Sequence, residues 1–467
     1  MERRDTIAAV ATGQGGAIAV VRLSGDRAIG IGDAVFLAAS GKKLGSQKGY
    51  TIHYGTISDN GEKVDDVLVS LFCAPRSYTG EDMVEISCHA SGFIRQKILS
   101  LCVNNGARIA DPGEFTMRAF MNGKMELSQA EAVADIIASG SKAAHQLASN
   151  QMRSEYAEEF RALRDRLVGL ASLLELELDF SEEDVEFADR EKLTGLIALI
   201  EDKINSLISS FSLGNIIKTG VPVAIAGAPN AGKSTLLNAI LKEERALVSD
   251  IAGTTRDTIE DTIVIGGVEF RFIDTAGIRH TEDRLENMGI ERTMDKILKA
   301  SVVLLIVDIR QSPDAIADEI KALDITHGQS LAVVVNKIDL LSHDEVEEKT
   351  AKLQATVSAG YPSVRVFALS AKKNINIEKL LDFLAGSVDL ENLYAGDPIV
   401  FNIRHYEVLR SAAGNLARAR EGLAAGLAGD LLSQDIHEAL HHLGTITGEI
   451  TSDDILESIF SKFCIGK

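Results

Sequence analysis

The segment Gly227-Ala-Pro-Asn-Ala-Gly-Lys-Ser234 combines glycines, a lysine and a hydroxyl at the spacing of a phosphate-binding loop. It follows the apolar run 221–226 and precedes the helix-like run 235–240, the strand–loop–helix context that such a loop requires. Its backbone N–H groups can turn inward around phosphates, and the positive end of the following helix adds to the attraction. Lys233 is expected to reach the β- and γ-phosphates, and Ser234 to ligate Mg²⁺. The segment therefore predicts a nucleoside-triphosphate site.

Three further motifs, each placed after an apolar run of strand length, predict that the base is guanine. They are Asp274-Thr-Ala-Gly277, Asn336-Lys-Ile-Asp339 and Ser370-Ala-Lys372. The carboxylate of the first motif would lie near the metal, and its glycine N–H near the γ-phosphate. The carboxylate of the second can accept hydrogen bonds from the guanine N1–H and amino group, a donor pair that adenine lacks. The third is expected to close over the base, and the four motifs in this order predict a GTPase domain.

The residue after the Asp274 motif is Ile278, whereas Ras-like GTPases place there a glutamine that orients the attacking water. An isoleucine side chain cannot hydrogen-bond to water, so another group must position it and offset the charge that develops on the phosphate. The acidic residues with suitable spacing are Glu282, Asp283, Glu286 and Glu291. Spacing alone leaves the choice among them open.

The elements that position these motifs belong to an alternation of strands and helices from Val221 to about Gly386. On either side, apolar residues recur at three- and four-residue spacing over 128–178, 188–211 and 403–463, which predicts long amphipathic helices. Because the apolar faces of these helices need partners, the helices are expected to pack on each other. The α/β region would then be an insertion between them.

Short β-branched runs bounded by turn residues, with helix-like stretches such as 92–103, predict an α+β domain at the start of the chain. The predicted fold class is therefore α/β and α, with an α+β domain, a bundle of long helices and a Ras-like α/β P-loop domain inserted into that bundle. The expected domains are 1–124 (α+β), 125–217 (first helical part), 218–388 (P-loop GTPase) and 389–467 (second helical part).

The composition is that of a soluble globular protein, with 45% hydrophobic and 25% charged residues among 467. A net charge of −20 argues against a general nucleic-acid coat, so any contact with RNA would need a local basic patch or a basic partner. The longest apolar runs are strand-sized, and Thr6–Val10 is too short for a signal peptide. Cys73, Cys88, Cys102 and Cys464 form no disulfide framework, which favours the cytoplasm, and the first three are expected to be small buried residues.

His437-Glu-Ala-Leu-His441 matches the HExxH signature of zinc metalloproteases and lies on a helical pattern, as that signature requires. Glu449 or Glu457 could be proposed as a third zinc ligand. The match stands alone against the full set of GTPase motifs, however, and the helix must bury its apolar face in the bundle. Surface or partly buried histidines are the favoured interpretation.

Motifs outside the common GTPase core give the chain a family resemblance. They are Gly253-Thr-Thr-Arg-Asp257, Asp274-Thr-Ala-Gly-Ile-Arg279, Phe463-Cys-Ile-Gly-Lys467, 78–82, 111–116 and 446–454. Over its whole length the sequence resembles the TrmE-type tRNA-modification GTPases. The resemblance implies a K⁺-stimulated homodimer that works with an FAD-binding partner of the MnmG or GidA type, in a heterotetramer or larger complex. Together they would install a carboxymethylaminomethyl or aminomethyl group at C5 of the wobble uridine of certain tRNAs.

In that family, K⁺ assists hydrolysis when two GTPase domains meet across their nucleotide faces. By position, the resemblance implies K⁺ ligands at Asn230, Ser249, Ile251 and Thr254, and Mg²⁺ ligands at Ser234 and Thr255. The catalytic acid would be Glu286, acting on the attacking water through another water. A monovalent cation beside the phosphates can take over the charge role of an arginine finger.

Motifs and resemblance together predict which residues bind GTP. They are Asn230, Ala231, Gly232, Lys233, Ser234, Thr235, Ser249, Asp250, Ile251, Ala252, Gly253, Thr254, Thr255, Asp274, Thr275, Ala276, Gly277, Asn336, Lys337, Ile338, Asp339, Ser370, Ala371 and Lys372.

The resemblance also implies that the N-terminal domain dimerises and binds 5-formyl- or 5,10-methylene-tetrahydrofolate. The matching positions are Arg22, Glu85, Lys124 and Lys467, and Cys464 would lie near the modification site as a catalytic candidate. The glycine loop Gly13–Gly16 is shorter than the family's and lacks its proline, so its folate contacts are left undefined.

Two other interpretations remain beside tRNA modification. A GTPase switch that assists ribosome assembly would share the P-loop motifs, but the sequence shows no GXXG loop in a KH-like context. The zinc peptidase is the other. The folate-type N-terminal domain and the Cys464 tail favour tRNA modification.

Overall fold

The computed structural model describes residues 5–13, 15–179, 190–245, 261–273, 297–326, 328–395, 398–427 and 429–467. The chain divides into two compact units. One comprises Met1–Ala134, Gln151–Ile200 and Ser411–Lys467, and the other comprises Asp135–Asn150 and Glu201–Arg410. The predicted combination of α+β, helical and inserted α/β regions is confirmed. The four domain boundaries stay a prediction.

In the first unit, seven described strands form one sheet. They are β1 (Ile7–Val10), β2 (Ile18–Ser24), β3 (Phe36–Ala38), β4 (Thr51–Asp59), β5 (Glu62–Phe72), β6 (Met83–His89) and β7 (Arg108–Ile109), in the order β3-β4-β5-β6-β2-β1-β7. Neighbouring strands are antiparallel except β1 and β7. Helices α1 (Ala28–Val35) and α2 (Gly92–Asn104) pack on one face, where alternate side chains such as Val21, Val69 and Ile86 are buried.

The opposite face of this sheet exposes a group of apolar side chains. Because side chains alternate along a strand, Ile18, Ile52, Tyr54 and Leu68 point away from the helices. Tyr54 lies directly opposite Leu68 in the register of β4 and β5. Ile18 and Ile52 are each 67% exposed, and Tyr54 is 58% exposed. We call these four residues the open face of the sheet.

A cluster of charged side chains ties helix α3 (Glu114–Met121) to the sheet. Arg118 donates hydrogen bonds to Asp5 at 2.7 Å and to Glu114 at 3.0 Å, and Arg108 donates to Glu114 at 2.6 Å. Burial alone would raise the pKa of the Glu114 carboxyl, but the hydrogen bonds from the two arginines hold that pKa below its usual range. Glu114, the acid of segment 111–116, therefore serves the fold, since a buried carboxylate needs such partners.

Helices make up most of the remaining chain. Those outside the inserted α/β region are α4 (Leu127–Ala138), α5 (Lys142–Met152), α6 (Ser154–Asp179), α7 (Arg190–Thr219), α13 (Ile403–Ala424), α14 (Gly429–Thr447) and α15 (Asp453–Phe460). The predicted helical stretch 128–178 is interrupted after Ala138, and the Ser141 hydroxyl accepts the N–H of Ala144 where α5 starts. In the first unit α6 packs along α14. Among the described residues, we find no helix whose length and apolar content would let it cross a membrane.

The second unit contains a mainly parallel sheet with helices on both faces. Its described strands are β8 (Val221–Ala226), β9 (Asp261–Ile265), β10 (Val268–Ile273), β11 (Val302–Asp308), β12 (Ser330–Asn336) and β13 (Arg365–Ala368), in the order β13-β12-β11-β8-β10-β9. The helices are α8 (Lys233–Arg245), α9 (Pro313–Ala322), α10 (His343–Gly360), α11 (Ile377–Gly386) and α12 (Glu391–Ala395). The carboxyl ends of β8, β11, β12 and β13 meet at one edge, where ligands bind in sheets of this kind.

Candidate functional site

The loop after β8 has the backbone conformation that a phosphate-binding loop needs. Gly227 has φ 133° and Gly232 has φ 105°, both in the region that favours glycine. A Cβ atom on Gly227 would lie 2.1 Å from the Ile306 carbonyl oxygen on β11. Helix α8 then begins at Lys233, so the unpaired N–H groups of its first turn are available beside the loop.

The Lys233 side chain folds back into this loop. Its Nζ donates to the carbonyl oxygens of Gly227 at 2.7 Å and Ala228 at 2.9 Å. Burial lowers the pKa of the Lys233 ammonium, and the carboxylate of Glu319 opposes part of that effect. Because a half-buried cation is costly without an anionic partner, this position favours a ligand that brings negative charge.

Asn336, at the end of β12, connects three loops through one buried amide. Its Nδ2 donates to the Ala231 carbonyl at 2.9 Å, and its Oδ1 accepts the N–H groups of Lys337 at 2.8 Å and Ala371 at 3.0 Å. A Cβ atom on Gly232 would lie 2.1 Å from that Nδ2. The Asn336 amide thus fixes the positions of the phosphate loop, the Asn336 motif and the Ser370 motif relative to one another.

Asp339 presents a carboxylate at the same edge of the sheet. Its Oδ1 accepts the Ser370 hydroxyl at 2.7 Å, and Lys373 Nζ lies 4.0 Å from its Oδ2. The Ser370 hydrogen bond, followed by smaller contributions from backbone and lysine charges, lowers the pKa of Asp339 below its usual range. The group is therefore an ionised acceptor at neutral pH, with lone pairs left for donors of a ligand.

These loops line a cavity of about 810 Å³, within the size range of small-molecule sites. Its lining residues are Pro229, Asn230, Gly232, Lys233, Ser234, Thr235, Asn336, Lys337, Asp339, Leu340, Ser370 and Lys372. Most of them are residues that the motifs predicted to bind GTP. The predicted residues Ala231 and Ala371 are buried and offer backbone groups to Asn336, while Ile338 begins a short 3₁₀ turn, Ile338–Leu340.

The set of predicted GTP-binding residues omitted three residues of this region. Pro229 and Leu340 line the cavity but have apolar side chains that no phosphate or base chemistry singles out. Asp308 lies 2.8 Å from Lys337 Nζ. Its signal in the sequence was an acid directly after the apolar run 301–307, a position that ends a buried strand.

The other predicted nucleotide and metal residues lie outside the described residues, and their roles stay predictions. They are Ser249, Asp250, Ile251, Ala252, Gly253, Thr254, Thr255, Asp274, Thr275, Ala276, Gly277 and Glu286, together with the alternative acids Glu282, Asp283 and Glu291.

A second group of predicted residues surrounds Arg22 on β2, in the first unit. Arg22 pairs in register with Glu85 of β6, and its Nε donates to that carboxylate at 2.8 Å. Its guanidinium carbon lies 5.6 Å from the ring centroid of Tyr78 and 5.5 Å from that of Phe115, within cation–π range. Its Nη1 donates to the Gly466 carbonyl at 3.3 Å. A cation is thus held between a carboxylate, two rings and a backbone carbonyl.

The last residues of the chain complete this arrangement. Ile465 forms an antiparallel bridge with Pro112, and the Lys467 carbonyl accepts the N–H of Phe115 at 3.1 Å. Gly466 has φ 97°, and a Cβ atom there would lie 2.4 Å from a backbone carbonyl oxygen at the end of β1. The segment 464–467, which we call the tail, is therefore docked against the N-terminal sheet.

The remaining residues predicted for this site are Lys124 and Cys464. Lys124 Nζ donates to the Pro75 carbonyl at 3.1 Å, on the segment that leads to Tyr78. The Cys464 side chain is exposed. By contrast, burial raises the pKa of Cys88 to about 11 and that of Cys102 to about 12, as expected for inert core thiols.

The HExxH segment lies on α14 and has a surface partner. His437 Nε2 lies 2.9 Å from the Glu175 Oε1 of α6, and both side chains are more than half exposed. Among the residues that the structure describes, no three His, Cys, Asp or Glu side chains lie close enough to hold a metal ion. His437 and His441 are both exposed, in agreement with the favoured interpretation of surface or partly buried histidines.

Two family models match the chain. The model described as "GTP-binding protein TrmE N-terminus" matches residues 6–124. The model described as "MnmE helical domain" matches residues 127–464, which is more than half of the chain and includes the inserted α/β region.

Curated relatives match over the full length. The tRNA modification GTPase MnmE of Bacteroides fragilis (strain YCH46) is 51% identical over 469 residues, covering 99% of this chain and 100% of the relative. The protein of that description from Flavobacterium johnsoniae is 50% identical over 472 residues, covering 100% of both chains. A solved structure of Era with MgGDPNP and ribosomal RNA is 25% identical and covers 42% of this chain and 66% of its own, with a TM-score of 0.29, too low to carry an argument. From the full-length relatives and the family models, the chain belongs to the MnmE family of tRNA modification GTPases.

Proposed function

We propose that this chain is a K⁺-stimulated GTPase that, with an FAD-binding partner, installs an aminomethyl or carboxymethylaminomethyl group at C5 of the wobble uridine of tRNA. The observation that carries the proposal is the cavity at which Lys233, Asn336 and Asp339 meet. GTP hydrolysis is the activity of the family, and the relatives' names specify tRNA modification. The choice of uridine, the transferred group and the flavoprotein belong to the proposal.

The cavity suits a guanine nucleotide at both ends. At one end, the Lys233 ammonium and the first turn of α8 supply positive charge for phosphates. At the other end, the ionised Asp339 offers acceptors for the guanine N1–H and amino group. Because adenine presents an acceptor at N1 and has no such donor pair, it would leave the remaining lone pairs of the carboxylate without these donors, which is costly.

Metal ions would be held at the phosphate end. Ser234, in the first turn of α8, offers the hard oxygen ligand that Mg²⁺ prefers, and Thr255 is proposed as the second protein ligand. For K⁺, Asn230 is proposed with Ser249, Ile251 and Thr254, and Glu286 is proposed to orient the attacking water. When bound, the cations offset the negative charge that develops on the phosphoryl oxygens during hydrolysis.

The Arg22 group is proposed to bind the tetrahydrofolate cofactor. A folate carries an anionic glutamate tail and a flat pterin ring, which match a guanidinium and flanking aromatic rings. Arg22 lies between Tyr78 and Phe115, and Glu85 can accept hydrogen bonds from a pterin. Lys124 and Lys467 would add positive charge, and the exposed Cys464 on the docked tail would lie beside the one-carbon unit.

The open face of the N-terminal sheet supports the proposed homodimer. Ile18, Ile52, Tyr54 and Leu68 present apolar surface from β2, β4 and β5 on one face of the sheet, and grouped exposure of this kind marks an interaction surface. We propose that this face meets its copy in a second chain. GTP-driven closure and opening of the paired GTPase domains would then act on a dimer that is already held together.

Mass spectrometry of nucleosides from bulk tRNA tests the function as a whole. Deleting the gene should remove the modified wobble uridine, and the wild-type gene should restore it. Cys464→Ser should fail to restore it, because the exposed tail thiol is proposed to take part in the chemistry. Cys73→Ser, at a half-buried cysteine, is the matched control and should restore it. If deletion leaves the nucleoside profile unchanged, the GTPase acts elsewhere, with ribosome assembly as the leading alternative.

Asp339→Asn should weaken GTP binding by about 100-fold, because the amide cannot accept both guanine donors. The same variant should gain affinity for xanthosine triphosphate, whose C2 carbonyl accepts a hydrogen bond from the new amide N–H. Equilibrium titration with fluorescent GTP and xanthosine analogues measures both effects. Asp382→Asn, an exposed acid on α11, should change neither. If Asp339→Asn keeps the wild-type preference for GTP over xanthosine triphosphate, the base does not bind at Asp339.

Arg22→Gln should weaken the binding of 5-formyltetrahydrofolate about tenfold or more, because a charge-assisted hydrogen bond is lost. Isothermal titration calorimetry on the full chain measures the affinity, and the GTPase rate should stay unchanged. Arg27→Gln, at an exposed arginine of the same region, is the control and should bind the folate normally. Equal affinities for both variants would remove Arg22 from the folate site.

Ile52→Asp should convert the homodimer to monomers at micromolar concentration, because burying an unpaired carboxylate in an apolar interface costs several kcal/mol. Analytical ultracentrifugation across a concentration series measures the mass. Leu199→Asp, at an exposed leucine of α7, should leave the dimer intact. A dimer that survives Ile52→Asp would show that the open face is not the interface.

A further inference from the structure

Asp308 lies at the carboxyl end of β11, outside the motifs that predicted the nucleotide site. It pairs in register with Asn336 at the end of β12, and the N–H of the next residue, Ile309, donates to the Asn336 carbonyl at 3.1 Å. Its side chain is 15% exposed. It is not among the described residues that line the cavity, so it lies one layer behind the nucleotide.

Lys337 bridges Asp308 to the phosphate loop. Its Nζ donates to Asp308 Oδ2 at 2.8 Å and to the Asn230 carbonyl at 2.8 Å. Both Lys337 and Asn230 have left-handed backbones, with φ values of 67° and 63°. A lysine rarely adopts this conformation, which costs free energy that nearby contacts must offset. The ion pair with Asp308 and the bond to the loop carbonyl are such contacts.

Arg310 binds the same carboxylate from the solvent side. Its Nε donates to Asp308 Oδ1 at 2.8 Å and its Nη2 to Oδ2 at 2.6 Å, while its own side chain is 64% exposed. Hydrogen bonds from Arg310 first, and then from Lys337, hold the pKa of Asp308 far below its usual range. The carboxylate therefore stays charged throughout the physiological range. The Arg310 pair is made by a residue only two positions away in the chain, whereas the Lys337 pair connects two ligand-binding loops.

We propose that Asp308 is a positioning residue for nucleotide binding, which holds the Lys337 ammonium against the Asn230 carbonyl. In this role it keeps the phosphate loop and the base-binding loop at a set separation before the nucleotide arrives. Preorganisation of this kind improves affinity by reducing the ordering that binding must impose. The inference rests on the proposed guanine site, because Lys337 must belong to that site for Asp308 to act through it.

Release of fluorescent N-methylanthraniloyl-GDP from the full-length protein tests this role. Asp308→Asn should speed release about tenfold, the effect of losing one charge-assisted hydrogen bond. Release of GDP and of GTP should be affected equally, because both nucleotides contact the phosphate loop and the base-binding loop whose separation Asp308 is proposed to maintain. Asp308→Glu, which keeps the charge, should speed nucleotide release by less than threefold. Arg310→Gln removes the other partner of the same carboxylate, and its release rate should stay within twofold of the wild-type rate.

A double-mutant cycle separates action through Lys337 from any other action. Lys337→Met should itself speed release, and adding Asp308→Asn to it should bring no further change. A further tenfold increase in the double variant would overturn the positioning role, as would normal release from Asp308→Asn. Normal release from Lys337→Met would instead show that the guanine site itself is misassigned. The two failures are therefore distinguishable.

Discussion

The nucleotide site depends on one buried side-chain amide, that of Asn336. Its donor and acceptor sides bond to backbone groups of three separate loops, at Ala231, Lys337 and Ala371. An amide is planar, so the three loops cannot change their spacing independently. Room for it exists only because Gly232 has no side chain. Replacing Asn336 would therefore loosen every part of the cavity at once, rather than remove a single contact.

Both candidate sites are proposed to bind anions in a chain whose net charge is −20. Each presents a cation at short range in a place partly shielded from water. Lys233 and Lys337 are fixed on backbone carbonyls, and Arg22 lies between a carboxylate and two rings. Surface charges farther away than about 8 Å are largely screened at physiological salt. The local arrangement of cations, and not the total charge, therefore decides which ligands these sites attract.

Sequence reasoning succeeded where the chemistry lies in consecutive residues. Local backbone geometry requires the glycines of segment 227–234, and burial of one face requires the alternation of buried and exposed residues along β2 and β5. Both features can therefore be predicted from the sequence. It failed where the partner is distant in sequence. Asp308 reaches Lys337 through strand pairing, and Arg22 reaches Gly466 through docking of the tail. The helical spacing of apolar residues in the sequence also continues across the break after Ala138, so this spacing alone does not reveal that the helix ends there.

The docked tail sets an order of events during protein synthesis. Arg22 and Gly466 are separated by 444 residues, and a ribosome that adds about 5–20 residues per second needs roughly 20–90 s to make that stretch. The P-loop sheet leaves the ribosome well before the tail does, so it can fold while the Arg22 group still lacks its contact with the tail. A nascent or prematurely ended chain can therefore acquire a folded GTPase sheet without a complete N-terminal site. The N-terminal site can be completed only after translation has reached the tail.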